Sequence, residues 1–219
     1  MIHLLGVARL WTSARVGQAM NRTDREHYVG RDNASVAYVD RPIGIGHGVT
    51  ISAPHMHAIM LQELEPWLTP GANVLDVGSG SGYLSVAMAM MVSEGNAAGR
   101  CVALEYIEPL MRQSMLNIRA DGKQSLMDNG TLVLLTGDGW AGVPSLAPFD
   151  AIHVGAAAVE IPQALVSQLK PGGKMVVPVG AQDQGQVLTE VVKDHMGKVT
   201  TRSLMGVRFV PLVRSSPFE

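Results

Sequence analysis

The run VLDVGSGSGYLS at 74–85 sets Asp76 just ahead of Gly78, Gly80 and Gly82, between an apolar stretch and a helical stripe. Glycines in such a place let the chain turn tightly at the carboxyl end of a strand and let a ligand approach the backbone. The spacing is G-x-G-x-G, and Tyr83 stands where the dinucleotide fingerprint would need glycine, which weakens a nicotinamide reading. Asp76 would repel a diphosphate and attract a cation. Glu105 ends the next apolar run, roughly 20 residues beyond the loop, where a carboxylate takes both hydroxyls of a ribose. Asp138, in Gly137-Asp138-Gly139, ends a third run and suits an exocyclic amine such as that of adenine. Each acid alone reads as a solvated strand end, and the loop alone as a chain reversal.

Together, three acids at three successive strand ends suit a ligand with an ammonium group, a ribose and an adenine. S-adenosylmethionine has all three and no phosphate. The cofactor-binding set predicted from these residues is Asp76, Gly78, Ser79, Gly80, Glu105 and Asp138.

The elements that must hold these residues follow from periodicity. Helical spacing of Met56, Ile59, Met60, Leu64 and Trp67 predicts a helix over 55–68, stopped by Pro70-Gly71, after a loop over 30–52 marked by IGIGHG. Strands are predicted at 73–77, 101–105, 132–136, 151–154 and 175–178, with helices beginning near Leu84 and over 107–120 and 162–169. Pro171-Gly172-Gly173 reads as the turn into a strand, and Met88, Met90 and Met91 as core filling. Alternating strands and helices imply a mainly parallel α/β sheet covered on both faces, and Val187–Val192 and Val207–Val213 add an antiparallel C-terminal pair.

Composition sets the outer bounds. The 219 residues have 47% hydrophobic and 16% charged content, enough for a large core in one domain, 1–219, in which an N-terminal extension, residues 1–70, packs on a core at 71–219. The 24 glycines and 12 prolines exceed the roughly 12% usual for the two together. A net charge of −2 without a basic run disfavours nucleic acid, and no uncharged stretch is long and apolar enough for a membrane span. One cysteine, Cys101, permits no internal disulfide and fits a reducing, cytoplasmic setting. Residues 1–8 lack the basic start of a secretory signal. Arg9, Arg15 and Arg22 form a weak targeting pattern, for which an ordinary N-terminal helix is the simpler reading.

The sequence also resembles the protein-L-isoaspartate O-methyltransferase family. The matching stretches are TDREHY at 23–28, GIGHGVTISAPHMHA at 44–58, LDVGSGSGYL at 75–84, GDG at 137–139, FDAIHVGAAA at 149–158, QLKPGGKMVVPVG at 168–180 and GVRFVPL at 206–212. The resemblance implies a Rossmann-like methyltransferase fold with extra N-terminal helices and a rearranged C-terminal strand pair. It implies methyl transfer to the α-carboxylate of L-isoaspartyl, and D-aspartyl, residues in damaged proteins and peptides, by a monomer. The ester then closes to a succinimide whose hydrolysis returns some normal aspartate. Ser52 matches the active-site serine, while Val49, Thr50, Ile51, Ser52, His57, Ser81, Glu105, Tyr106, Gly137 and Asp138 match cofactor-contact positions. Tyr106 replaces a histidine of some members, Trp140 a familiar arginine, and Val213 a threonine whose cofactor contact is not carried over; segments 30–38 and 95–100 run longer.

Such a transfer needs alignment more than a base, since an α-carboxyl titrates near 3.5. Ser52 could donate to the acceptor carboxylate beside a helix N-terminus whose N–H groups favour the anion. Its plainer role is a helix N-cap. His55 and His57 form no metal site by themselves, lacking a cysteine or acid cluster. The alternatives are a methyltransferase acting on another substrate, an NAD-binding oxidoreductase, and a protein that binds the cofactor without using it.

Overall fold

The computed structural model describes residues 12–213. Its N-terminal region begins with α1 (Ala14–Arg22), capped by the Ser13 side chain, which accepts from the Arg15 amide. Arg15 leaves this helix to bind Glu65, Glu94 and the Leu68 and Met91 carbonyls, so it works as a clamp between helices. Arg22 ends the same helix; Arg9 and the stretch 1–8 lie outside the described residues.

A 3-10 turn, Arg25–Tyr28, precedes the segment 30–52 predicted as loop, which itself contains a second, Arg31–Val36, and a minimal antiparallel ladder of β1 (Ile43–Gly44) and β2 (Thr50–Ile51). Gly46, His47 and Gly48 make its turn with positive φ. Helix α2 (Pro54–Leu64) follows, shorter than predicted because Glu65–Trp67, containing Pro66, tightens into a 3-10 turn.

Five parallel strands form the centre: β3 (Asn73–Val77), β4 (Arg100–Glu105), β5 (Leu132–Thr136), β6 (Phe149–Val154) and β7 (Leu169–Val179). Two antiparallel strands, β8 (Gln186–Lys193) and β9 (Val199–Val207), extend the sheet. The order β5-β4-β3-β6-β7-β8-β9 reverses direction between β3 and β6, the place where open α/β sheets bind ligands. Between the strands lie α3 (Tyr83–Val92), α4 (Glu108–Ala120), α5 (Gln124–Asp128) and α6 (Gln163–Gln168). Every residue of α3 is buried. Its Met88 and Met91 share a core with Val16, Met20, Met60 and Leu61, so the N-terminal region and the sheet bury one continuous apolar layer. Each such side chain contributes roughly 1.5–3 kcal/mol on burial.

Two predicted elements are corrected. Pro171-Gly172-Gly173 lies inside β7 as an irregularity, where the register against β6 jumps from Phe149↔Leu169 to Ala151↔Lys174. Glycines tolerate that kind of bulge. The last strand is Val199–Val207, not Val207–Val213: the polar run TTRS belongs to a largely exposed edge strand. Residues 208–213 leave the sheet and cross its carboxyl edge, where Ala157 donates to Val210 O at 2.8 Å and accepts from Leu212 N at 2.8 Å.

Candidate active site

At the β3/β6 reversal the chain encloses a cavity of about 420 Å³. Gly78 and Gly80 of the turn after β3, Glu105 to Ile107 after β4, Gly139 after β5, and Gly155 and Ala156 after β6 form its inner side. His47 to Thr50 of the β1–β2 ladder and Val210 to Val213 of the crossing segment form its outer side. The glycine turn works by positive φ at Gly78 (72), Gly80 (56) and Gly82 (88). At Gly139 the issue is space, since a Cβ would lie 2.7 Å from Val77 Cγ1 and 2.8 Å from Leu212 Cδ1.

Glu105 is the prepared acceptor. The Gly80 amide donates to its Oε2 and the Ile107 amide to its Oε1, both at 2.9 Å. Each oxygen keeps a further acceptor site, so the carboxylate is already oriented for a pair of hydroxyls. Among the described residues no Lys or Arg lines the cavity, while apolar Leu104, Ile107, Ala156 and Leu212 do. That set suits an aromatic base and a ribose rather than a diphosphate. Ser79 Oγ, buried on the same turn, has no hydrogen-bond partner among the described residues.

The predicted residues divide. Val49, Thr50, Gly78, Gly80, Glu105 and Tyr106 line the cavity. Ile51, Ser79 and Ser81 are buried beside it, with the Ser81 carbonyl accepting from Asn117. Gly137 packs its backbone against β4, its amide donating to the Glu105 carbonyl at 3.0 Å. Asp138 faces a neighbouring cavity of about 520 Å³ with Trp140 and Glu160, and accepts from the Trp140 amide at 2.8 Å. Asp76 lies deepest of the predicted acids. It sits on the sheet face covered by α3, 1% exposed, with its oxygens engaged by His153 Nδ1 at 2.7 Å and by the Ser85 hydroxyl. A carboxylate so held ties together two adjacent strand ends and does not itself line the cavity.

Ser52 lines a second, smaller groove of about 220 Å³ together with Pro42, His55, Met56, Arg208 and Phe209. This groove and the cavity share Thr50, Gly155 and Val210 as a common border. Ser52 is not a helix cap: the N-cap of α2 is Ala53, without a side-chain cap bond. Nor is the helix start open to an anion, because Asp40 Oδ1 accepts from the His55 amide at 3.0 Å and contacts His55 Nδ1 at 2.8 Å. His57 is buried with its ring stacked on Tyr83. Burial, with the charges of Arg25, His153 and His55 adding to it, pushes His57 well below the ordinary histidine range, so it is a neutral packing residue beneath Ser52. The two histidines therefore face different partners, Asp40 and Arg25.

Sequence reasoning missed Gly139, Gly155, Ala156 and the crossing segment. The two glycines stood within GDG and IHVGAAA, stretches that carry the family resemblance. The crossing segment hid as a strand because its apolar residues line a cavity, which looks like sheet burial in one dimension.

A 3-2-1-4-5 parallel order, a glycine turn after the first of those strands and an acid ending the second define a Rossmann-like S-adenosylmethionine-dependent methyltransferase. Comparison narrows the class. The family model described as Protein-L-isoaspartate(D-aspartate) O-methyltransferase matches residues 1–216, and the chain belongs to that family. It is 49% identical to protein-L-isoaspartate O-methyltransferase 1 of Arabidopsis thaliana, over 92% of this chain and 84% of that protein. A Caenorhabditis elegans protein-L-isoaspartate O-methyltransferase is 42% identical over 93% of this chain and 87% of its own length. A Plasmodium falciparum structure described as a protein-L-isoaspartate O-methyltransferase in complex with S-adenosyl-L-homocysteine superposes with a TM-score of 0.88. It is 35% identical, with 97% of this chain and 96% of that one covered.

Proposed function

We propose that this protein transfers a methyl group from S-adenosylmethionine to the α-carboxylate of L-isoaspartyl and D-aspartyl residues in damaged proteins and peptides, with Ser52 placing the acceptor. The observation that carries the role of Ser52 is the common border of Thr50, Gly155 and Val210 between its groove and the larger cavity. An acceptor held at Ser52 and a cofactor held at Glu105 would meet there.

The cofactor, when bound, supplies an electrophilic methyl on a sulfonium. Glu105 and the glycine turn fix its ribose. Ser52 donates its hydroxyl to one oxygen of an already ionised carboxylate, leaving the other to form the new C–O bond as the S–C bond breaks. No group need remove a proton, and alignment of this sort lowers a barrier by several kcal/mol. The ester later loses methanol as the neighbouring backbone nitrogen closes the succinimide.

We also infer a cytoplasmic monomer, for which the single cysteine, Cys101, buried and free, fits a reducing setting; no helix among the described residues is long and apolar enough to cross a membrane. Light scattering of the purified protein checks the oligomeric state. The activity is tested with methyl-labelled S-adenosylmethionine and a matched pair of aspartyl and isoaspartyl peptides. Base-labile label on the isoaspartyl peptide alone is expected; label on neither would sink the assignment.

A further inference from the structure

An acceptor carboxylate brings a full negative charge into the Ser52 groove, and the helix start expected to receive it is already occupied by Asp40. The compensating charge lies elsewhere. Arg25, 1% exposed, reaches from the first 3-10 turn to the back of the same site. Its Nη2 donates to the Ser52 carbonyl at 2.7 Å, its Nε to the Ala37 carbonyl at 2.9 Å, and its Nη1 lies 3.3 Å from His57 Nδ1. With His57 neutral, that nitrogen accepts from Arg25. The guanidinium also sits 5.6 Å from the centre of the Tyr83 ring.

Among the described residues no carboxylate lies within ion-pair distance of Arg25. Asp40 is the carboxylate whose field reaches it, and that group is committed to His55. Burial pushes the guanidinium down to about 10, which leaves it charged at neutral pH. Buried charges are costly unless compensated; two carbonyls, His57 and the Tyr83 ring hold Arg25, and its positive charge lies behind the groove without lining it. Arg208 also borders the groove, but it is exposed, and solvent screens it.

We propose that Arg25 is a positioning residue for the acceptor side: it fixes the Ser52 backbone through the carbonyl and provides the positive potential that an incoming carboxylate meets. This rests on the methyl transfer proposed above. The two duties separate by substitution. Lysine keeps the charge and loses the fork; methionine loses both and roughly keeps the volume.

The test uses full-length Arg25→Lys and Arg25→Met, with thermal midpoints, S-adenosylhomocysteine affinity, and kcat and KM for an isoaspartyl peptide at saturating cofactor. Both variants should bind S-adenosylhomocysteine within about threefold of the parent. Arg25→Lys should lose about tenfold in kcat with KM little changed, and Arg25→Met should also gain about tenfold in KM. Parental kcat and KM in Arg25→Met would overturn the proposal, as would losses of cofactor affinity matching the losses of turnover. If Arg25→Met does not fold, Arg25→Lys decides, since parental kcat there removes the role of the fork. Failure of the parent protein to methylate any isoaspartyl peptide would overturn the reaction and this role together; parental activity with unaffected variants would overturn this role alone.

Discussion

The two ligand-facing sides of this site are built by different means. The cofactor side consists largely of turns that directly follow β3, β4, β5 and β6, so its backbone is set by the sheet and by short stretches of sequence. The acceptor side joins residues near 25, 40–57 and 205–210, and its central contacts, such as Arg25 to Ser52 or Asp40 to His55, cross between segments outside the sheet. A side made by strand ends is pre-formed by the fold. A side made by converging segments depends on individual hydrogen bonds, and single substitutions should reveal that difference.

The largest effect is expected at the cofactor side. Glu105→Ala removes the proposed ribose acceptor and leaves two backbone amides unmet, so S-adenosylhomocysteine affinity should fall about 100-fold or more by calorimetry. An unchanged affinity would break the assignment of that side. Next, Ser52→Ala should lower kcat about 10- to 100-fold while cofactor affinity and thermal midpoint stay near the parent's. Cofactor affinity falling in step with kcat would mean that the two sides are not separable.

A third effect appears as pH dependence. His57 is held neutral in the fold, its folded value lying well below the ordinary one near 6.5. The unfolded chain then binds a proton that the native chain refuses, so this contribution to stability is present above about pH 6.5 and is lost as the pH falls below it. The slope approaches about 1.4 kcal/mol per pH unit well under 6.5. Thermal midpoints between pH 7.5 and 5.5 should decline, and less so in His57→Gln, which keeps an acceptor for Arg25. Equal slopes in the two proteins would remove His57 as the cause. The smallest effect is expected from Trp140→Phe. Losing the indole N–H bond to the Leu212 carbonyl, 2.9 Å, should weaken cofactor affinity about fivefold through the crossing segment.

The same division explains what could be read in one dimension. Strands β3 to β6, helix α4 and the turn at 78–82 announce themselves by period and by glycine spacing, and Glu105 follows from its place at the end of β4. Asp76 did not, because motif spacing fixes its strand position but not which sheet face its side chain joins, and Ser85 and His153 claim it there. Arg25 stood within TDREHY, a stretch that carries the family resemblance, but its own chemistry gave no signal. An arginine beside Asp24 and Glu26 reads as solvated, and only the convergence of the Ala37 and Ser52 carbonyls buries it. The exposed edge strand β9 was invisible for the opposite reason: with little to bury, it carries no apolar pattern.

The border formed by Thr50, Gly155 and Val210 also governs how large a client can be. At Gly155 there is no room for a side chain, since a Cβ would lie 2.9 Å from the Gly78 carbonyl oxygen and 3.3 Å from His153 Cε1. With a groove of only about 220 Å³ at Ser52, a damaged protein would bring one carboxylate and a short length of backbone to this border, while the rest of its mass stays in solvent. Clients of very different sizes, from a short peptide to a protein larger than this chain, present the same few atoms at the same opening.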